Sequence, residues 1–153
     1  MSTAPAFSLA TPSIERFGQS QWSSVTFLDA IAPWVLETLS RIEELKGLGD
    51  NWDGYGSPRI QPATLAQARR LAVSVGMQEL PAPFVSPVSG GAIGFHWRVG
   101  RRELELTVLP NEQIEYLKVL DQDLEREDAM QAGVLPPNRG SEVGTMLNWL
   151  IAL

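Results

Sequence analysis

Apolar residues change their spacing along this chain, and the changes mark its elements. Leu28, Ile31, Val35, Leu39, Ile42 and Leu45 recur every three or four residues, which places them on one stripe of a helix. Thr26 and Asp29 offer a capping pair near its start. Pro33 suits a first helical turn and breaks an interior, so the helix either starts near Ala32 or starts earlier and kinks. Gly47 or Gly49 ends it. A second stripe, Leu65, Ala68, Leu71, Ala72 and Val75, follows Pro62 and predicts a helix over 62–75 that stops at Gly76.

The period then falls to two. Ile93, Phe95, Trp97 and Val99 alternate with Gly94, His96 and Arg98, as strand residues do. Gly100-Arg101 makes a tight turn, and Leu104, Leu106 and Val108 alternate with Glu103, Glu105 and Thr107. Pro110-Asn111 turns the chain again, and Gln113 to Val119 reads as a third strand. Pro83 to Val88 reads as a short edge strand, because its prolines cannot donate ladder hydrogen bonds. These elements predict an α+β fold. Two helices pack on the apolar face of a three- or four-stranded antiparallel meander, and a short C-terminal helix is added. The other sheet face, with His96, Arg98, Glu103, Glu105 and Thr107, meets solvent or a partner.

Outside this core the pattern weakens. Residues 1–24 are rich in Ser, Thr, Ala, Pro and Gln and read as a flexible N-terminal arm, leaving 25–120 as the core domain. Residues 121–140 read as an acidic segment followed by a linker, Gly133 to Gly140, around Pro136-Pro137. Ser141 is the expected cap of a C-terminal docking helix over 141–153, with Val143, Met146, Leu147, Trp149, Leu150 and Ile151 apolar. So apolar an ending has to dock on its own domain, on a second copy or on another protein.

Composition narrows the chemistry. A length of 153 residues fits one domain. The absence of cysteine excludes disulfides, thiolate metal sites and a cysteine nucleophile. No apolar run approaches the ~20 residues of a membrane span. The N-terminus lacks the basic and apolar regions of a secretory signal, so a cytoplasmic location is expected. The net charge is −6. Asp121, Asp123, Glu125, Glu127 and Asp128, against Arg126 alone, concentrate a net −4 of it in eight residues. An acidic chain repels phosphates, which disfavours nucleic acid as a partner and suits a basic protein. A solvated helix face or linker is the plainer reading of that segment.

Between the helices lies Asn51-Trp52-Asp53-Gly54-Tyr55-Gly56. The glycines permit backbone angles that other residues avoid, and Asn51 and Asp53 can hydrogen-bond nearby backbone to fix turns. Trp52 and Tyr55 are large to leave in water. The loop is therefore expected to be either a plug locking the interhelix turn onto the core or a binding loop. The run from Gly49 to Pro58, followed by the Pro62 helix and the meander of Ile93 to Leu106, resembles a scattered group of small bacterial proteins that share an N-W-D-G-Y-G motif. The resemblance covers roughly residues 40–120 and implies no activity.

Catalytic and metal chemistries fit poorly. Read as an EF-hand, Asn51-x-Asp53-Gly54 would put Gly49 and Ile60 where carboxylates are required. His96 is the one histidine, with no nucleophile placed beside it by sequence. Glu103 and Glu105 share a strand as solvated acids do, and Ser89-Gly90-Gly91 precedes a strand where a phosphate loop needs a helix. No cofactor, metal or catalytic residue is expected. The leading expectation is a non-catalytic, protein-binding accessory subunit, antitoxin-like or immunity-like. Candidate contacts are Trp52, Asp53, Tyr55, His96, Arg98, Asp121, Asp123, Glu125, Glu127, Asp128 and Trp149. One alternative is a small hydrolase-type enzyme using Asp50, Asp53, Tyr55 or His96. Another is a self-associating structural protein, with the C-terminal helix as a route to a homo-oligomer.

Overall fold

The computed structural model describes residues 31–76, 78–120 and 129–152. The expected arm, the Thr26–Asp29 cap and the Asp121–Asp128 acids lie outside them. Helix α1 runs Pro33–Leu45 and α2 runs Pro62–Ser74, each with its proline in the first turn, where a missing N–H leaves no bond unmade. That settles the two openings for the first helix: Ala32 is its N-cap, and the backbone N–H of Ala32 donates to Gly76 O at 3.0 Å. Gly76 has to be glycine there, since a Cβ would lie 2.7 Å from Val35 Cγ2. Trp34 and Thr38 join Val35, Ile42 and Leu45 on the buried face of α1.

Five strands follow: β1 Phe84–Val88, β2 Ala92–Val99, β3 Arg102–Val108, β4 Ile114–Leu120 and β5 Met130–Leu135. They form one antiparallel sheet in the order β1-β2-β3-β4-β5. The expected count of three or four strands is thus corrected to five. The expected linker at Gly133 to Gly140 is the place of the error, because β5 occupies its first residues. Met130-Gln131-Ala132-Gly133-Val134-Leu135 lacks the apolar/polar alternation that marks a half-buried strand, and pairing with β4 holds it in the sheet.

Ile93, Phe95, Trp97, Leu104, Leu106 and Val108 are all buried on one face. The Phe95 and Trp97 rings stack at a centroid distance of 6.0 Å. Trp97 Nε1 donates to Pro81 O at 3.1 Å, so the indole enters the core with its polar atom satisfied. Helices α1, α2 and the C-terminal α3, Gly140–Ile151, all contact strands of the sheet. Val143, Met146, Leu147 and Leu150 bury the apolar side of α3. Its expected Ser141 cap is corrected: Arg139 is the N-cap residue, no side chain caps the helix, and Ser141 Oγ donates to Glu142 instead. The far end of α3 is capped from across the sheet. Arg102 donates to Trp149 O at 2.6 Å and also to Ala152 O, placing a cation on the negative end of the helix. Among the described residues no helix is long and apolar enough to cross a membrane.

Candidate functional site

The Asn51–Gly56 loop is organised by two side chains. Asn51 has φ 60°, a left-handed conformation that asparagine tolerates better than most residues. Its Oδ1 accepts from Gly56 N at 2.7 Å, while its own N–H donates to Ser57 O at 2.7 Å. Gly54 and Gly56 take φ 76° and 87°, which glycine adopts without a Cβ penalty. Asp53 does more. Its Oδ1 accepts from Tyr55 N at 2.9 Å and Ser57 N at 3.1 Å. Its Oδ2 accepts from Ser57 Oγ at 2.5 Å and Ser89 Oγ at 3.1 Å. The Ser57 hydroxyl, then the Tyr55 amide and the remaining donors, hold the Asp53 carboxyl at about 2, below its ordinary 3.8.

Ser89 belongs to the β1–β2 turn, and Gly90 N of the same turn donates to Ser57 Oγ at 3.3 Å. The loop is therefore bonded to a hairpin more than thirty residues away. Ser57 and Ser89 were missed as members of this cluster. Ser57 adjoins the motif and was legible as an extra donor, whereas nothing in the local sequence marks Ser89. Asp50 Oδ1 accepts from Arg59 N at 3.0 Å. Of the two readings of the loop, the plug does not extend to Tyr55, which is 94 % exposed. Trp52 is half-buried, with a buried Nε1 that has no hydrogen-bond partner among the described residues.

Both Asp53 oxygens are occupied and the carboxyl stays ionised well below neutrality, so Asp53 is a held acceptor rather than a free base. His96 sits on β2, in a separate cluster. Its Nε2 is 3.2 Å from Glu103 Oε2, and Arg98 is 3.2 Å from Glu103 Oε1. Among the described residues no group of three or more His, Asp or Glu could hold a metal ion.

The sheet face opposite the helices has a regular layout. Phe84, His96, Glu105, Leu117 and Ala132 form one row across all five strands. Ser86, Gly94, Thr107, Glu115 and Val134 form the next. Over β3–β5 these rows line a groove of about 500 Å³, with Leu117, Ala132 and Val134 beside the carboxylates of Glu105 and Glu115. Phe84, Met130 and Val134 are 64 %, 56 % and 52 % exposed. The sequence showed the polar central strands of this face and missed its apolar edge, because β5 was read as linker.

The remaining candidate, Trp149, lies on the helix side. Lys118 Nζ is 4.4 Å and Arg102 Cζ 5.5 Å from its ring centroid. Burial, then the nearby Arg102 charge, pushes the Lys118 ammonium below its ordinary value. Another cavity, about 510 Å³, lies at the start of α2 among Lys46, Arg59 and Arg69. Each of these cations already faces an acid: Glu43 is paired with Lys46 and Arg69, and Asp50 with Arg59. No family model, curated protein or solved structure matches the chain.

Proposed function

We propose that this chain is a non-catalytic protein-binding subunit, and that it recognises its partner with the sheet face opposite the helices. The observation that carries the reading is the groove over β3–β5, where apolar Leu117, Ala132 and Val134 lie beside Glu105 and Glu115. An apolar floor with carboxylates beside it suits side chains with an apolar stem and a cationic head, as Lys and Arg have. A basic partner protein is the matching class, in keeping with the chain's net charge of −6. His96, Arg98 and Glu103 extend the face with groups that fix orientation. The engagement of Asp53 by four donors weighs against the hydrolase alternative. The N-W-D-G-Y-G loop, on this reading, is a brace for the fold and a proposed mark of kinship with similar bacterial proteins.

The test is affinity capture from the native host with the full chain and with a Glu105→Lys, Glu115→Lys double variant, both checked for native circular dichroism. A protein retained by the wild type and lost by the variant supports the reading. Equal retention by both, or no retained protein, overturns it.

A further inference from the structure

Beyond that groove, the structure carries a second feature at the edge of the sheet. Among the described residues, strands β1 and β5 are the two edges of the sheet. Strand β1 contains Pro87 and follows Pro83, and proline cannot donate to an added strand. Strand β5, Met130–Leu135, contains neither proline nor charge. Leu120 N donates to Ala129 O at 2.8 Å, immediately before the Val119–Met130 pair of the β4–β5 ladder. Bonded and non-bonded pairs alternate in an antiparallel ladder, so Ala129, Gln131, Gly133 and Leu135 bond inward to β4. Met130, Ala132 and Val134 therefore turn their N–H and C=O groups outward. The same three residues have exposed side chains on the open face.

We infer that β5 pairs antiparallel with β5 of a second copy about a two-fold axis, joining two five-stranded sheets into one. With Ala132 opposite the partner copy's Ala132, each Met130 faces a Val134. All three outward-facing residues of each copy then bond, giving two hydrogen bonds per pair as antiparallel geometry provides. No charge meets a like charge along the paired strands. The end of β5 that follows the acid-rich stretch ending at Asp128 runs toward the end of the second β5 that leads into Arg139. An isologous contact of this kind closes on itself and stops at two copies. One six-residue strand pair is smaller than the ~800 Å² per partner of stable complexes, so the dimer forms with concentration. The pairing leaves the β3–β5 groove open and sets two grooves side by side, so it stands independently of the proposed partner.

Light scattering of the full chain over a concentration series tests this. The mass should rise from 16.8 kDa toward twice that value. Val134→Lys keeps every backbone group and sets a charge against the second copy's Met130, and it should abolish the rise. Ala132→Pro removes an outward N–H that β4 does not use, and it should do the same with unchanged circular dichroism. If the proline variant loses its fold, Val134→Lys decides alone. In this cysteine-free chain, oxidised Ala132→Cys should give a covalent dimer, and Phe84→Cys on the other edge should not. A mass of 16.8 kDa at all concentrations overturns the inference. So does a dimer that survives Val134→Lys, or equal trapping by Phe84→Cys.

Discussion

Asp53 shows how much one side chain can organise. A carboxylate has two oxygens and accepts only, so four donors from Tyr55, Ser57 and Ser89 give it a fixed place. Its folded carboxyl titrates near 2 and the free group near 3.8. A depressed folded value means that the stabilisation is complete above the unfolded value and disappears as pH falls through the folded one. Thermal stability should therefore fall progressively from about pH 4 to about pH 2 in part through this group. Asp53→Asn should lower the melting temperature at neutral pH and flatten that acid-side slope. An unchanged slope would show that other carboxylates set it. The motif polar residues were legible as turn formers from their identity alone. Their reach to Ser89 was not, because that bond joins segments 36 residues apart.

At the level of elements, β4 and β5 illustrate a pairing that needs a glycine. Tyr116 faces Gly133 across the ladder, and a Cβ on Gly133 would lie 2.7 Å from the Tyr116 hydroxyl. The ring covers the glycine backbone and so protects a residue that otherwise weakens a strand. Gly133→Val should cost about 1–3 kcal/mol through this crowding, despite the strand preference of valine. Gly133→Val combined with Tyr116→Ala should recover much of the loss in a urea titration, because the two changes share one contact. Additive losses would place the effect elsewhere. The start of α2 was readable, since Pro62 marks a first turn by chemistry, whereas Pro33 left two openings for α1 that the structure decided. The helix α3 cap was not readable, because Arg102 reaches it from β3.

For the molecule as a whole, the helices and strands among the described residues share one core. Leu147 of α3 and Leu104 and Leu106 of β3 are each fully buried. Leu147→Ala should therefore cost about 2–5 kcal/mol. Far-UV and near-UV signals should still report one coincident transition, since a single core unfolds as a unit. Separate transitions would mean that α3 docks as an independent piece. The apolar side of α3 is buried on its own domain, with Trp149 half-buried and Ile151 exposed toward its end. Among the described residues, the open sheet face and the β5 edge are the surfaces we propose for association.

The sequence by itself determined the α+β class, the helix that Pro62 starts, the central hairpin and the turn-forming character of Asn51–Gly56. Each follows from interactions within a few residues: helical or strand periodicity, the fixed φ of proline, and side chains that bond their own backbone. The tertiary structure decided the rest. It placed Ser89 on Asp53 and Arg102 on the end of α3, recruited Met130–Leu135 as a fifth strand, and left Tyr55 in water. These depend on which distant segments meet, and the local pattern carries no record of that. In β5 the ladder bonds to β4 supply the order that the strand's own residues do not encode.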